Sequence, residues 1–338
     1  MKFIKTYRVA TIIILALALA YLPATRAQQE KPPKPKPPGE QKNDQDDQVL
    51  RLGAQLVTVP FNVTNKQNSY INDLSKEDLE VLEDKKPQEV FSFERRTDMP
   101  ITIAMLIDIS GSQEYTLPYE KAAGQRFFRR VLRPKKDIAA VVTFEHESVL
   151  VQDLTGDVER LHRALDDVAI GTPMVRGGGT PPINNSGAGS TAMYDSVYSV
   201  SSDLLSREAG RRVIILVTDG IDTSSRVKMK EAIEHTWRNE IIVYTIGIGD
   251  RAYGGINRGG LNKIAEETGG RAFFPRNEED LDKAFAQIDE DLRSQYILTY
   301  QPANDAQDGS FRAIEVRVKD KKDLTIRHRR GYFAPKQS

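Results

Sequence analysis

Cysteine is absent from the 338-residue sequence, and histidine and tryptophan are scarce, with four copies and one copy. Without cysteine the chain has no disulfide framework, no thiolate metal site and no cysteine nucleophile. An excess of either charge is missing too, since 48 basic residues balance 48 acidic ones. Domains that bind nucleic acid usually carry a basic excess, so we expect no nucleic-acid partner. The 39% hydrophobic content suits one or two packed domains.

The first 27 residues have the pattern of a secretory signal. Three basic residues precede a largely apolar run at 9–22, and Thr-Arg-Ala, ending at Ala27, offers a cleavage site. This run is shorter than the roughly 20 residues that span a bilayer. We therefore predict a signal peptide at 1–27 and an exported protein, periplasmic or extracellular. A membrane tether is expected only if the signal stays uncleaved.

Residues 28–50 are rich in proline, lysine and aspartate, a composition typical of an extended, unfolded spacer. Beyond them, apolar and polar residues alternate at 57–64 and again at 314–318, which predicts half-buried strands. Pro60 indicates a sheet edge or a bulge in the first of these strands. We predict that residues 52–97 and 295–335 are β-rich segments that pair into one small β-sandwich-like domain.

The middle of the chain, residues 100–294, alternates buried-strand and helix patterns. Its near-continuous apolar runs, typical of strands buried on both faces, are Ile101–Ile107, Ile138–Phe144, Val213–Val217 and Ile241–Ile248. Between and after them, apolar residues at helical spacing begin at Val158, Met193, Met229 and Leu281. This alternation predicts an α/β fold with a doubly wound, mostly parallel sheet.

Oxygen-bearing side chains follow the strands of this predicted sheet. Asp108, Ser110 and Ser112 come after the first strand, Thr191 opens a helical segment, and Asp219 follows Val213–Val217. Ligands bind beyond the carboxyl ends of the strands in such sheets. Two carboxylates and three hydroxyls suit a hard divalent cation. An ordinary strand-to-helix turn, in which Ser and Asp satisfy backbone donors, is the alternative for the first three residues alone.

In these residues the chain resembles the von Willebrand factor A (VWA) family with its metal-ion-dependent adhesion site (MIDAS). The family pattern is Asp-x-Ser-x-Ser, then a Thr, then an Asp after a later strand, and all five positions are filled here. The resemblance implies Mg²⁺, or Mn²⁺ or Ca²⁺, held directly by Ser110, Ser112 and Thr191, with Asp108 and Asp219 bound directly or through water. It also implies adhesion, in which a protein ligand presents Asp or Glu to the metal.

The whole chain, flanks included, also resembles VWA-related exported proteins of acidobacterial type. The segments that carry this resemblance are 76–84 and 330–335.

Catalysis is the competing interpretation, because Mg²⁺ and carboxylates also serve hydrolysis. A phosphotransferase resembling the haloacid-dehalogenase group would need Asp at position 110, where this chain has Ser. The histidines His146, His162, His235 and His328 lack metal-ligand spacing, and no phosphate-binding loop is present. We therefore expect a non-enzyme. A structural envelope subunit with a non-functional metal site stays open, and so, less favoured, does a Mg-dependent hydrolase.

The glycine-rich segment 171–189 leads into Thr191. Long turn-rich loops of this kind either carry recognition or simply stay mobile. Both interpretations remain open.

Overall fold

The computed structural model describes residues 55–171, 190–249, 255–319 and 323–336. The predicted signal at 1–27, the predicted spacer at 28–50 and nearly all of the loop at 171–189 lie outside the described residues. No helix among the described residues combines the length and the apolar character that crossing a membrane requires.

The secondary structure is numbered along the chain. The strands are β1 (Val57–Thr64), β2 (Leu79–Glu83), β3 (Lys86–Gln88), β4 (Val90–Arg95), β5 (Ile101–Asp108), β6 (Ile138–Phe144), β7 (Ser148–Thr155), β8 (Arg211–Thr218), β9 (Ile241–Gly247), β10 (Ala272–Phe273), β11 (Tyr296–Tyr300), β12 (Phe311–Val318), β13 (Thr325–His328) and β14 (Gly331–Phe333). The α-helices are α1 (Leu117–Val131), α2 (Val158–Asp167), α3 (Met193–Ser199), α4 (Met229–Arg238), α5 (Arg258–Thr268) and α6 (Glu278–Arg293).

The central sheet has six strands in the order β10-β9-β8-β5-β6-β7. All neighbours pair in parallel except β7, which runs antiparallel to β6. Helices α1, α2 and α6 pack on one face, in the same core cluster as Ile103, and α3, α4 and α5 pack on the other, with Leu106. The predicted doubly wound α/β fold is confirmed.

Strand β5 marks the point at which the strand order reverses. The chain passes from β5 to β6 on one side, and β8 later returns to pair with β5 on the other side. Connections leave the two strands in opposite directions there, which opens a crevice at the carboxyl edge of the sheet. The fold therefore places a natural ligand site beyond the ends of β5 and β8.

Two antiparallel sheets come from the segments that flank the central sheet. Their strand orders are β13-β1-β11-β4 and β14-β12-β2-β3, so each sheet combines strands from before and after the α/β body. Valines and aromatic residues from both sheets share one buried cluster, including Val59 of β1, Val81 of β2 and Val316 of β12. The two sheets thus form a second, smaller sandwich-like core, as the fold prediction required.

Pro60 lies inside a sheet. Strand β1 lies between β11 and β13, so the interpretation of an edge strand is wrong. However, β13 pairs only from Phe61 onward, while Pro60 itself pairs with Ile297 of β11. The missing N–H of proline therefore falls just before the second partner strand begins, where no ladder bond is lost.

A charged pair is buried in the sandwich. Arg312 Nη1 lies 3.3 Å from Glu83 Oε1, and both side chains are 2% exposed. The hydroxyl groups of Tyr300 and Tyr332 donate to Glu83 Oε2 at 2.7 and 2.9 Å. This buried carboxylate therefore has a cation and two hydroxyl donors of its own.

Candidate metal site

Two carboxylates meet at the crevice because of strand register. Asp108 is the last residue of β5 and Asp219 follows directly after β8, and these adjacent parallel strands pair Ile107 with Val217. Both side chains are buried, with residue exposures of 0% for Asp108 and 3% for Asp219. Gly220 turns the chain away at φ +78°, where a Cβ would lie 2.7 Å from Leu261 Cγ. Glycine is therefore required directly after Asp219.

A line of hydrogen bonds joins four of the five predicted ligand side chains. The Ser110 backbone N–H donates to Asp108 Oδ1 at 2.9 Å, and the Ser110 and Ser112 hydroxyl oxygens lie 3.1 Å apart. Ser112 Oγ then donates to Asp219 Oδ2 at 2.7 Å. Thr218, to which the sequence analysis gave no role, donates to Asp108 Oδ2 at 2.6 Å. The carboxylates are thus held in fixed orientations by neutral donors.

Thr191, the fifth predicted ligand, is buried just before α3 and is positioned by the loop that follows Asp219. Its backbone N–H donates to Thr223 Oγ1 at 2.7 Å, and its carbonyl accepts from the N–H of Thr223 at 2.9 Å. Asp222 Oδ1 accepts from the Met193 N–H at 2.8 Å, at the start of α3. Within the described residues, no hydrogen bond joins the Thr191 hydroxyl to the other four side chains.

Within the described residues, the two carboxylates have no positively charged hydrogen-bond partner. Across the described ranges, their hydrogen bonds come from hydroxyl and backbone N–H groups alone. Burial raises the pKa of Asp108 to about 6, although hydrogen bonds from Ser110 and Thr218 oppose that rise. Burial also raises the pKa of Asp219. The site therefore holds negative charge at a desolvation cost that a cation would offset.

Glu120 is a third buried carboxyl group near the site, and the sequence analysis missed it. It lies on α1, is 4% exposed, and neither of its oxygens has a hydrogen-bond partner among the described residues. Burial raises its pKa to about 8, the nearby hydroxyl of Thr116 opposes that rise, and the charges of Asp108 and Asp219 add to it. Its position one turn into an amphipathic helix gave no sequence signal, because only tertiary packing decides which polar residues of a helix are buried.

The donor set fits a hard divalent cation. Hydroxyl and carboxylate oxygens are the ligands that Mg²⁺, Mn²⁺ and Ca²⁺ favour. Within the described part of the chain, no three His, Asp or Glu side chains are arranged to hold a metal. A cation at this edge would therefore depend on the serine and threonine hydroxyls as well as on the two aspartates.

The four histidines contact other parts of the molecule. His162 contacts the Gln125 carbonyl of α1, and His235 contacts Asn239 directly after α4. His328 is buried in the sandwich, and His146 pairs with Ser190. Among the described residues, none of the four hydrogen-bonds to a predicted ligand side chain. The geometry supplies no histidine base beside the two aspartates.

Comparison with known families identifies the family to which the chain belongs. The family model described as "von Willebrand factor type A domain" matches residues 102–287, more than half of the sequence. The chain belongs to this family. The matched range contains β8, all of β5 except its first residue, and all five predicted ligand residues.

Solved structures with low sequence identity also match. Proximal thread matrix protein 1 from the mussel byssus is 18% identical, with 62% of this chain and 51% of that chain covered and a TM-score of 0.48. Another structure of the mussel protein, with a "zinc occupied MIDAS motif", is 19% identical over 61% of this chain and 48% of that chain, with a TM-score of 0.48. This chain thus spans about half the length of the mussel protein.

A von Willebrand factor type A protein from Catenulispora acidiphila is 16% identical, with 85% of this chain and 75% of that chain covered and a TM-score of 0.47. No curated protein matches this chain. These likenesses carry no residue roles to this chain, and the resemblance of its flanks to exported acidobacterial proteins stays a prediction.

Proposed function

We propose that this VWA protein is exported, binds a divalent cation at Asp108, Ser110, Ser112, Thr191 and Asp219, and uses the cation to hold a protein ligand. The observation that carries the proposal is the pair of buried aspartates at adjacent strand ends, which are fixed by hydroxyl groups and which no cationic side chain of the described residues contacts through a hydrogen bond. Such a pair is costly for the apo fold and becomes favourable when a cation is present.

Each residue has a distinct part in this proposal. Ser110, Ser112 and Thr191 would contribute neutral hydroxyl oxygens, and the two aspartates would contribute negative oxygens directly or through water. The bound cation, Mg²⁺, Mn²⁺ or Ca²⁺, supplies an electron-poor position that accepts a carboxylate. Thr218 keeps Asp108 in place by its hydrogen bond. An Asp or Glu of the ligand would complete the coordination.

A cleft beside the site supports an acidic ligand. The cleft has a volume of about 780 Å³ and is lined by residues that include Tyr115, Gly249, Arg258 and Arg276. It adjoins the aspartates, because a Cβ on Gly249 would lie 2.8 Å from Asp219 Cβ. Tyr115 is 67% exposed and free to contact a partner. Two arginines at the rim complement a ligand that presents carboxylates.

We infer binding rather than catalysis. Apart from the buried carboxyl group of Glu120, the described residues around the two aspartates offer hydroxyls and backbone groups, with no histidine or lysine beside them to serve as a base or nucleophile. The signal pattern at 1–27 supports binding outside the cytoplasm, and we propose a role in adhesion or in assembly of the cell envelope.

The test uses the immobilised protein and envelope proteins from the source cells. Proteins retained in Mg²⁺ and released by EDTA are expected on the wild-type column but not on Asp219→Ala. Glu114→Ala, an exposed carboxylate two residues from Ser112, is the control and should retain them. Amidation of the carboxyl groups of the retained protein should abolish its binding. Retention that is equal in Mg²⁺ and EDTA would contradict the proposal and favour a structural subunit with a non-functional metal site.

A further inference from the structure

A second candidate site lies at the other end of the central sheet. A cavity of about 100 Å³ separates the amino edge of this sheet from the sandwich, and its lining includes Thr58 of β1, Arg211 of β8, Trp237 of α4 and Ile297 of β11. Strand β8 begins at this cavity and ends at the candidate metal site. At about 3.3 Å per residue, the length of β8 separates the two sites by roughly 25 Å.

The charges around this cavity are unequal. Three arginines line it, Arg211, Arg212 and Arg329, together with one acidic residue, Glu240. Glu240 accepts from Arg212 Nη2 at 3.1 Å and from Arg329 Nη1 at 3.2 Å. Arg211 instead donates to the backbone carbonyls of Leu292 and Arg96. One carboxylate is therefore shared between two cations, while a third cation meets only neutral acceptors.

Some N–H donors of these arginines have no hydrogen-bond acceptor among the described residues. The Nε atoms of Arg211, Arg212 and Arg329 are buried, and none has a hydrogen-bond partner among the described residues. Arg211 and Arg329 are only 6% and 8% exposed. Burial lowers the pKa of Arg211 to about 10, which reflects the cost of keeping this cation away from water. These Nε atoms are closed to solvent, so an anion in the cavity would meet the arginines through their Nη groups. A surplus of buried cations is normally matched by an anion.

The remaining walls limit which anion fits. Met99, Trp237, Ile241, Ile242 and Ile297 give the cavity a largely apolar lining. A phosphate ion would place oxygen atoms against these side chains without hydrogen bonds, at a cost in desolvation. A carboxylate has one planar anionic end that matches a guanidinium, and its carbon chain suits an apolar wall. A volume of about 100 Å³ holds several waters, which is room for a short chain.

We propose that this cavity binds a small organic carboxylate of about the size of propionate, with its anionic end on the arginines and its carbon chain on the apolar wall. Its walls come from both the α/β body and the sandwich, so a bound carboxylate stabilises the contact between them. The site is independent of the candidate metal site.

Calorimetric titration of the purified protein with sodium propionate, against sodium chloride at equal ionic strength, tests the proposal. Wild type should bind propionate and gain thermal stability with it. Arg329→Gln and Arg212→Gln should each weaken binding by about tenfold or more, because each removes a charge-assisted donor. Glu240→Gln should strengthen binding, because it removes the competing carboxylate. Arg238→Gln, an exposed arginine of α4 outside the lining, should bind propionate as wild type does.

Several outcomes would overturn the proposal. These are no propionate binding by wild type, undiminished binding in the two arginine variants, or phosphate binding as tight as propionate binding. If Arg329→Gln fails to fold, Arg212→Lys and Glu240→Gln provide the same test at less buried positions. Asp219→Ala should bind propionate normally, which separates this result from the outcome at the metal site.

Discussion

The sandwich and the carboxyl edge of the central sheet both bury acidic side chains, but their partners differ. In the sandwich, Glu83 meets Arg312 at 3.3 Å and accepts from two tyrosine hydroxyl groups. At the sheet edge, Asp108 and Asp219 have hydroxyl and backbone donors, and Glu120 has no hydrogen-bond partner among the described residues. In the sandwich the chain supplies a cation to its buried carboxylate, whereas the described residues supply none to the carboxylates of the sheet edge.

This difference separates stability from binding. A buried carboxylate that has its cation contributes to one well-defined fold, and loss of either partner is costly. A buried carboxylate without a cation costs stability, which appears here as raised pKa values for Asp108 and Glu120. The buried ion pair thus stabilises the sandwich, while the carboxylates of the sheet edge suit the cation binding that we propose.

The largest effect is expected for Arg312→Met, which removes the cation from the sandwich core. Glu83 would remain buried and charged, so unfolding should become easier by about 3–5 kcal/mol. Denaturant unfolding of the purified protein measures this change.

Arg317→Met is the matched control on the same strand, because the Arg317 side chain is 51% exposed and pairs with exposed carboxylates. Its cost should stay below about 1 kcal/mol. Equal losses of unfolding free energy in the two variants would contradict the claim that the buried pair of Glu83 and Arg312 stabilises the sandwich.

The next largest effect is a loss of folding stability in acid that is due to His328 of the sandwich. His328 Nε2 accepts from the Val316 N–H at 3.2 Å and Nδ1 donates to the Arg329 carbonyl, and burial lowers the pKa of His328 to about 4. The unfolded chain, with a pKa near the ordinary 6.5, binds the proton more tightly. This contribution to stability is complete above about pH 6.5 and is lost as pH falls toward 4, by up to about 3 kcal/mol.

His328→Gln keeps an acceptor and a donor but does not titrate, so it should lose less stability than wild type between pH 7 and pH 4. His146→Gln, at an exposed position, is the control and should behave as wild type. Urea unfolding at each pH measures the difference. Parallel pH curves for wild type and His328→Gln would show that His328 plays no part in the acid sensitivity.

Glu120 gives the opposite dependence on pH. Its pKa of about 8 in the folded protein exceeds the ordinary value near 4.5, so the folded state binds the proton more tightly. Its contribution is complete below about pH 4.5 and is lost as pH rises toward 8. Between pH 5 and pH 7 in EDTA, Glu120→Gln should avoid a loss of about 2 kcal/mol that wild type shows. Glu114→Gln, exposed in the segment before α1, should follow wild type.

Urea unfolding across this range measures both variants. An equal loss in wild type and Glu120→Gln would mean that Glu120 is not held protonated in the folded protein. Of the two pH effects described, that of His328 in acid would then remain to distinguish the sandwich from the sheet edge.

The sequence predicted those features that depend on periodicity and strand ends. The apolar runs at Ile101–Ile107 and Val213–Val217 identified β5 and β8, and their ends located Asp108 and Asp219. The sequence did not predict the elements in which the apolar periodicity is interrupted. Helix α1 begins with Leu117-Pro118 and buries Glu120, and β7 is antiparallel and half exposed, so neither was identified.

The sequence did not predict which residues pair with the buried charges. Glu83 and Arg312 are 229 residues apart, and only the pairing of β2 with β12 brings them together. Thr218 was visible beside Asp219, but its bond to Asp108 depends on the register of β5 and β8. Long-range packing, and not local propensity, decides which carboxylates meet a cation.

The most direct test of the account is the free energy of unfolding of wild type and Asp219→Asn in EDTA and in saturating Mg²⁺, Mn²⁺ or Ca²⁺. We expect wild type to gain about 2.7 kcal/mol at a metal concentration one hundred times Kd, because binding to the folded state alone stabilises it. Asp219→Asn should be at least as stable as wild type in EDTA, because it removes a buried charge, and should gain little from metal. A wild-type protein that gains nothing from any of the three cations would contradict the claim that this edge of the sheet is built for one.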